Sequence, residues 1–282
     1  MNCLSHTFRF HAIGETKHLF NNGIDQNITL CSCGDIIDNC KFWSQIPIKK
    51  IQKNLVYNHK FFYKYIRNSK APIFLYDWYL TKKIRRSQHS TIQDIQYFYS
   101  SFKDINTIDS SKSIHYSKIL DYVNQSPSIK VHVVRNVLGV YHSMRKKVKK
   151  PEIVNNEEFM YSSENFFLLS LKWSLTNLYI YLSHLFSKNY FLIRYEDFVK
   201  DPNRSIDFIS KKIKTSNNYI DNTFSLDSKL NHSISGNPSR MNKSTTIKFD
   251  DEWIKSIPFG KRLLIFIINL PVMLLFGYSW KK

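Results

Sequence analysis

Short runs of β-branched and other apolar residues alternate along the chain with longer segments in which apolar residues recur at helical spacing. The short runs predict strands at Ile73–Tyr76, Ile105–Ile108, Ile129–Val134 and Tyr190–Ile193. The longer segments predict helices at Glu15–Asn21, Ile48–Arg67, Ile92–Lys103, Tyr116–Asn124, Leu138–Lys149, Ser163–Phe186 and Ser205–Ile213. Strands that alternate with helices are typical of a doubly wound, mostly parallel sheet, so the pattern predicts an α/β fold.

The 282 residues contain neither an internal repeat nor a low-complexity linker, so we expect a single domain over residues 1–282. Hydrophobic residues make up 43% of the chain and aromatic residues 15%, which excludes a disordered tail and permits a substantial core. The 41 lysines and arginines against 22 acidic residues give a formal net charge of +19. This excess indicates an anionic partner, although the heavy use of lysine, asparagine and isoleucine also fits an AT-rich genome.

The predicted strand at Ile129–Val134 leads directly into Arg135, and Ser143 follows eight residues later in the next predicted helix. Open parallel sheets bind anionic ligands at the carboxyl ends of their strands. An arginine fork and a hydroxyl two turns into the next helix can hold one phosphate between them. The alternative is a core strand that ends in a solvated arginine.

Two later segments carry polar residues suited to the same kind of ligand. Tyr195 follows the predicted strand at Tyr190–Ile193, where its ring can stack on a base. The segment His232–Lys243 is rich in Gly, Asn, Pro and Ser, which predicts a loop. Its backbone and cationic donors for an anion are Gly236, Asn237, Arg240 and Lys243.

Four cysteines, Cys3, Cys31, Cys33 and Cys40, lie near the amino end, and the first ten residues lack the apolar core of a signal peptide. We therefore expect a cytoplasmic protein with reduced thiols. Thiolates bind zinc, but a C-x-C pair followed by one more cysteine lacks the paired C-x-x-C spacing of common zinc modules. A structural role for the thiols, with a turn at Gly34, is therefore favoured over a metal site.

These motifs, taken in order, resemble the sulfotransferases that use 3′-phosphoadenosine-5′-phosphosulfate (PAPS), especially the bacterial members of that family. The matching segments are IGET at Ile13–Thr16, CSCG…CKFW at Cys31–Trp43, DSSK at Asp109–Lys112, VVRNVLGVYHS at Val133–Ser143, RYEDFVKDP at Arg194–Pro202, HSISGNPSRM at His232–Met241 and DEWI…FGY at Asp251–Tyr278. Each segment is weak alone, but together they cover nearly the whole chain in family order.

The resemblance implies how the nucleotide is held. Arg135 and Ser143 match the pair that binds its 3′-phosphate, and Tyr195 matches a tyrosine near the adenine. The loop Gly236–Arg240, which includes Asn237, is similar to the late loop that closes over the 3′-phosphate.

The resemblance also implies a reaction. Glu15 matches the glutamate that acts as general base on the acceptor hydroxyl, and Lys112 is a candidate contact to a phosphate or to the acceptor. The hydroxyl oxygen attacks sulfur in line, and adenosine 3′,5′-bisphosphate leaves. PAPS is the implied co-substrate, no metal is required, and the acceptor is a sugar, a lipid, a small alcohol or a tyrosine. The alternative for Glu15 is a surface residue at a helix start.

The implied fold is a three-layer sandwich with a mostly parallel central sheet, like that of P-loop nucleotide kinases. In the family, a first strand and a 5′-phosphosulfate loop come before the GE segment, but only MNCLSHTFRFHAI precedes Gly14. We therefore expect this strand and loop to be missing. A misplaced start, a decayed and catalytically inactive adenosine-bisphosphate-binding remnant, or a non-catalytic relative would each explain that.

Two further features leave alternatives open. Leu263–Trp280 is nearly all apolar, so a peripheral membrane contact is an alternative to the packed terminal helix of the family, although Asn269 and Pro271 interrupt it. The basic clusters Lys82–Arg86 and Arg145–Lys150 allow a nucleic-acid-binding protein as the non-enzymatic alternative. Both clusters are more simply solvated surface, so we expect no nucleic acid as a partner.

Overall fold

The computed structural model describes residues 2–21, 29–46, 48, 89–123, 128–149, 162, 165–216, 220–221, 223–227 and 229–280. The fold is mixed α/β, with small parallel sheets. In chain order its elements are α1 (Asn2–Phe8), β1 (His11–Gly14), α2 (Lys17–Asn21), α3 (His89–Ser100), β2 (Thr107–Asp109), α4 (Ile114–Val123), β3 (Lys130–Val134), α5 (Val137–Arg145), α6 (Phe166–His184), β4 (Tyr190–Arg194), α7 (Tyr195–Lys200), α8 (Pro202–Ile213), β5 (Thr223–Ser225), β6 (Ser244–Thr246), α9 (Glu252–Ser256) and α10 (Phe259–Leu275). Short 3₁₀ helices lie at Ile37–Asn39, Trp43–Gln45 and Pro238–Met241.

The chain forms two compact units, each with a hydrophobic core of its own. The first unit comprises Met1–Ser128, Pro151–Asn156 and Phe224–Thr245. The second unit comprises Ile129–Lys150, Glu157–Thr223 and Thr246–Lys282. The single domain over residues 1–282 stays a prediction.

In the first unit, β1 is held on both sides. It pairs in parallel with β2 in a register that sets Ala12 opposite Ile108. On its other side Ala12 forms a parallel bridge to Asn231, and the backbone N–H of His232 donates to the Ala12 carbonyl over 2.9 Å. Ala12 and Ile13 are fully buried, so this short strand runs through the core, and it ends at Gly14, directly before Glu15.

Aromatic rings dominate the core of the first unit. The ring centroids of Trp43 and Phe98 lie 6.4 Å apart, and Phe102 packs edge-on against both. Helix α3 contributes Ile95 and Phe98, which are three residues apart and therefore lie on one helical face. This core packs against the strand that leads to Glu15, because Ile13 belongs to the same cluster.

In the second unit, β3 and β4 pair in parallel, from Lys130 opposite Tyr190 to Val134 opposite Arg194. Parallel strands need a long crossover connection, which α5 and α6 supply. Helix α5 begins directly after Asn136, whose side-chain oxygen accepts from the backbone N–H of Leu138 over 2.9 Å and caps the helix. The core between the strands and helices consists of Val134, Val137, Leu138, Tyr141, Leu169, Trp173, Ile257, Ile265, Met273, Phe276 and Tyr278.

Several predicted elements are confirmed, with shifted ends. The strands predicted at Ile129–Val134 and Tyr190–Ile193 are β3 and β4, and the predicted Ile105–Ile108 overlaps β2. Helices α2 to α6 and α8 all overlap predicted helical segments. The predicted strand Ile73–Tyr76 and, apart from Ile48, the predicted helix Ile48–Arg67 lie outside the described residues. Strand β1 was not predicted, because a four-residue run that begins with histidine and ends with glycine carries no strand pattern.

The apolar C-terminal segment forms α10, which packs against α6. Its polar interruption, Asn269, is fully buried and accepts a hydrogen bond of 2.6 Å from the Ser174 hydroxyl of α6. The Asn269 amide also donates to the Ile265 carbonyl over 2.6 Å. Within the described ranges, no helix combines the length and the apolar character needed to cross a membrane.

Candidate functional site

Glu15 follows β1 directly, and three nitrogen-bearing side chains surround its carboxylate. Lys112 Nζ donates to Oε1 over 2.8 Å, while Lys17 Nζ and His18 Nε2 lie 3.4 and 3.3 Å from Oε2. Burial alone would raise the pKa of the Glu15 carboxyl, but the hydrogen bond with His18 and the Lys112 ammonium group outweigh it and lower this pKa to about 2. The carboxylate is therefore ionised at neutral pH.

Lys112 reaches Glu15 from the turn after β2. Its backbone φ of 50° lies in the left-handed region, which non-glycine residues adopt at an energetic cost and which concentrates at functional sites. Its side chain is 65% exposed, although the ammonium group contacts a carboxylate that is only 10% exposed. An ammonium group so placed is open to an incoming anion.

A buried polar network fixes the turn that carries Lys112. The Asp109 carboxylate accepts hydrogen bonds from the hydroxyls of Thr16 and Tyr99, the latter over 2.7 Å, and from the backbone N–H of Ser111 over 2.7 Å. The Tyr116 hydroxyl lies 3.0 Å from that of Tyr99. Burial raises the pKa of Asp109 despite these donors. The network thus holds the ends of β1 and β2 in one arrangement.

Glycines let the segment Ser233–Gly236 approach Glu15 closely. Gly14 has a φ of 82°, and a β-carbon built on it would lie 2.8 Å from the Ile234 nitrogen, closer than real contacts allow. A β-carbon on Gly236 would lie 3.4 Å from Glu15 Oε1. The structure therefore brings together three predicted site residues, Glu15, Lys112 and Gly236, from three distant segments.

The other predicted residues of this loop make contacts within the protein. Asn237 Oδ1 accepts from the Ser239 backbone N–H over 2.9 Å and caps the 3₁₀ helix that follows. Arg240 is 2% exposed, and its guanidinium donates to the carbonyls of Leu30 and Ser233 at 3.3 and 2.5 Å. Arg240 thereby holds the backbone of the loop, and the phosphate contacts expected of Asn237 and Arg240 stay predictions.

In the second unit, Arg135 lies between an aromatic ring and a carboxylate. Its guanidinium carbon is 4.7 Å from the centre of the Tyr195 ring, and Nη2 donates to Asp250 Oδ2 over 2.7 Å. Burial alone would raise the pKa of Asp250, but the hydrogen bond from Arg135 outweighs it, and the pKa is lowered. The Arg135 guanidinium therefore already binds one anionic group, the Asp250 carboxylate.

Ser143 is exposed on α5, one helical turn after Gly139 and on the same face. A β-carbon on Gly139 would lie 2.9 Å from Arg135 Nε, so the glycine lets the guanidinium lie against the helix. Among the described contacts, no hydrogen bond joins Ser143 to Arg135. Gly139 was not predicted as a site residue, and its only signal in the sequence is a small residue between Arg135 and Ser143.

Three cysteines and one histidine meet in the core of the first unit. Cys40 Sγ lies 3.6 Å from Cys33 Sγ and 3.7 Å from Cys31 Sγ. His232 Nδ1 lies 3.4 Å from Cys40 Sγ and 3.8 Å from Cys31 Sγ. All four atoms lie within 4.8 Å of one another, which is a donor set able to hold a metal ion.

The expectation of a protein without a metal site is therefore wrong. It rested on the resemblance and on the cysteine spacing, a C-x-C pair with one more cysteine and no C-x-x-C pair, whereas the fourth donor is His232, 192 residues beyond Cys40. The cluster gives no support to PAPS, the expected co-substrate.

The predicted site residues are divided between the two units. Those in the first unit are Glu15, Lys112, Gly236, Asn237 and Arg240, and those in the second are Arg135, Ser143 and Tyr195. Within the first unit the structure gathers Glu15, Lys112 and Gly236, and within the second it gathers Arg135 and Tyr195. No protein-family model, no curated protein and no solved structure matches the chain.

Proposed function

We propose that the protein is an enzyme that transfers a sulfuryl group from a nucleotide phosphosulfate to a hydroxyl acceptor, with Glu15 as the general base. The strongest support is that Lys112 and Gly236 both lie against the buried, ionised carboxylate of Glu15. An ionised carboxylate can accept the proton of a hydroxyl, and an ammonium group beside it can stabilise charge that develops on sulfuryl oxygens.

In the proposed reaction, the acceptor hydroxyl binds Glu15 Oε1 and takes the place of the Lys112 ammonium group. The exposed Lys112 side chain then turns to the sulfuryl oxygens. Because the Lys112 charge is one cause of the low pKa of Glu15, its departure raises this pKa and makes the carboxylate a stronger base. As the hydroxyl oxygen bonds to sulfur, the bond from sulfur to the leaving phosphate oxygen breaks and the proton passes to Glu15.

The second unit supports the binding of the nucleotide. The Arg135 guanidinium already holds the Asp250 carboxylate, and a phosphate can bind such a fork through the same donors. The ring of Tyr195, stacked on that guanidinium, offers an apolar face to a base. The proposed acceptor is a sugar, a lipid, a small alcohol or a tyrosine. In the family that the chain resembles, variable loops contact the acceptor, and the candidate loops here, Lys150–Ser163 and Tyr76–Thr91, lie almost wholly outside the described residues.

We also propose that the small sheets belong to a three-layer sandwich with a mostly parallel central sheet, as in P-loop nucleotide kinases. Two observations support this fold. Strands β1 and β2, like β3 and β4, pair in parallel, and helices lie between them in the chain. The bridge from Ala12 to Asn231 adds a third parallel pairing.

The test is transfer of radiolabelled sulfate. The full chain is incubated with ³⁵S-labelled PAPS and a panel of sugar, lipid, alcohol and tyrosine acceptors. We expect label on one acceptor class, and we expect Glu15→Gln to lower the transfer rate by about 10²- to 10⁴-fold, the usual contribution of a general base. Binding of adenosine 3′,5′-bisphosphate, measured by calorimetry, should be unchanged in that variant.

A matched control separates the specific role of Lys112 from a general loss of positive charge. Lys112→Met should slow transfer, whereas Lys103→Met, at an exposed lysine of the same unit, should leave the rate unchanged. Nucleotide binding without transfer to any acceptor class would contradict the enzyme and favour a catalytically inactive nucleotide-binding protein. A Glu15→Gln protein as fast as the wild type would remove Glu15 from the reaction.

A further inference from the structure

We propose that Cys31, Cys33, Cys40 and His232 bind one structural Zn²⁺ ion. Zinc ligands at about 2.3 Å for sulfur and about 2.0 to 2.1 Å for nitrogen form a tetrahedron whose edges are about 3.8 Å between sulfurs and about 3.6 Å between sulfur and nitrogen. The sulfur pairs of Cys40 lie at 3.6 and 3.7 Å, and the sulfur–nitrogen pairs lie at 3.4 and 3.8 Å. These four separations are close to the edges of that tetrahedron, and the remaining two, from Cys33 Sγ to Cys31 Sγ and to the His232 ring nitrogen, are no longer than 4.8 Å.

The tautomer of His232 is the one that a metal requires. Its Nε2 lies 3.0 Å from the Lys229 carbonyl oxygen, which can only accept, so Nε2 carries the proton. In the neutral imidazole Nδ1 is then the nitrogen with the free lone pair, and it faces the sulfurs of Cys31 and Cys40 at 3.8 and 3.4 Å. A carbonyl that orients a histidine in this way is the usual second partner of a metal-bound imidazole. Phe42 stacks on the ring, with centroids 4.5 Å apart, and fixes its plane.

The three sulfurs lie close enough together to share one ion. Cys40 Sγ is 3.6 Å from Cys33 Sγ and 3.7 Å from Cys31 Sγ. All four cysteines of the chain are free, so none of these sulfurs is used in a disulfide. Buried sulfurs this close together can be ionised together only beside a cation, and Zn²⁺ supplies the compensating charge.

The donor set selects the metal and its role. Thiolate and imidazole ligands exclude the hard cations Mg²⁺ and Ca²⁺, which take oxygen ligands. Four protein ligands fill a tetrahedron, and the sites of Cys31 and Cys40 are fully buried, so the ion has no open position for a substrate. The site is therefore structural, and it stabilises a segment of 3₁₀ turns that carries little regular structure.

The proposed ion joins the segment Cys31–Cys40 to the segment Asn231–Ser233, which pairs with β1. The Ser32 hydroxyl donates to the Asn231 carbonyl over 2.9 Å and accepts from the Ser233 backbone N–H over 2.7 Å. Zinc at His232 would thus fix the start of the loop that continues to Gly236 beside Glu15. An effect of the ion on the rate of sulfuryl transfer rests on the proposed function. The inference that zinc binds does not.

The test measures the metal directly. Full-length protein purified under reducing conditions should contain one zinc ion per chain, measured by inductively coupled plasma mass spectrometry. After the zinc is removed with a chelator, Co²⁺ should give the d–d bands of a tetrahedral ion together with thiolate charge-transfer absorption, and added Zn²⁺ should abolish both. A reduced protein that takes up neither ion, or a cobalt spectrum without thiolate charge transfer, would overturn the proposal.

Variants identify the ligands. His232→Asn and Cys40→Ser should lose the zinc, whereas Cys3→Ser, at the cysteine outside the cluster, should keep it. Because Cys40 is fully buried and its variant can fail to fold, Cys33→Ser at a half-buried ligand provides the second test. In that variant the charge-transfer absorption of bound Co²⁺ should fall by about a third, since one of three thiolates is lost. Full absorption in Cys33→Ser would remove this residue from the site.

Discussion

At the scale of single residues, the charge on Glu15 predicts a pH-dependent contribution to stability. Its pKa is held at about 2, below its ordinary value of 4.5, so folding favours the ionised form. The stabilisation is fully present above pH 4.5 and is lost as the pH falls toward 2. We expect Glu15→Gln to lower the free energy of unfolding by about 2 kcal/mol at pH 7, after allowance for the exposure of Lys112. Urea titrations at pH 7, 4.5 and 3 measure the difference, which should shrink below pH 4.5.

A double-mutant cycle apportions this effect. Lys112→Met removes the cation that donates to Oε1, so the loss caused by Glu15→Gln should be smaller in that background than in the wild type. Asp251→Asn, at an exposed carboxylate of the second unit, serves as the control for the removal of one negative charge. A Glu15→Gln difference that stays constant from pH 7 to pH 3 would mean that its cause is packing and not charge.

The sequence could identify Glu15 and Arg135 but not the partners that decide their chemistry. A glutamate after a glycine and an arginine after an apolar run are local patterns, readable from neighbouring positions. Lys112 is 97 residues from Glu15, and Asp250 is 115 residues from Arg135, so only the fold pairs them. The low pKa of Glu15 is a property of that pairing and has no local signature.

At the scale of elements, the close approach of the segment Ser233–Gly236 to the end of β1 depends on Gly14. Alanine there must adopt a φ of 82°, and its β-carbon must enter a space bounded at 2.8 and 2.9 Å by the backbone of Ile234 and Ser235. Backbone atoms cannot move aside as a flexible side chain can. We therefore expect Gly14→Ala to lower the free energy of unfolding by about 2 to 4 kcal/mol, measured by urea titration.

Two other glycines separate the causes of that loss. Gly34 also has a positive φ, of 103°, but a β-carbon there would meet no atom within 4 Å, so Gly34→Ala reports backbone strain alone, about 1 kcal/mol. Gly260 lies at the start of α10 in open space, and Gly260→Ala should be neutral or slightly stabilising. Equal losses at Gly14 and Gly34 would show that strain, and not the close approach, sets the effect.

Strands and helices with a strong pattern were predictable, and elements made by long-range contacts were not. Strands β3 and β4 are apolar runs, and α6 is long enough for its apolar spacing to stand out. Strand β1 has four residues and exists because β2 and Asn231 hold it on either side, so its own sequence carries little signal. The cluster of Cys31, Cys33, Cys40 and His232 was missed for the same reason, since its fourth member comes from the far end of the first unit.

At the scale of the whole molecule, the net charge of +19 predicts a stability that rises with ionic strength. Salt acts in two opposing ways, because it screens the repulsion among unbalanced positive charges and also weakens exposed ion pairs such as Lys146–Glu252. An exposed pair contributes at most about 1 kcal/mol, whereas the excess charge repels throughout the compact state and is relieved on unfolding, so screening of the repulsion should prevail. Raising the salt from about 0.01 M to about 0.15 M shortens the screening length from about 30 Å to about 8 Å.

We expect the melting temperature to rise by about 3 °C over this range in sodium chloride. The rise should be equal in choline chloride, because screening depends on ionic strength and not on which cation is present. A melting temperature that falls over this range would mean that ion pairs, and not net repulsion, dominate the electrostatics of the fold.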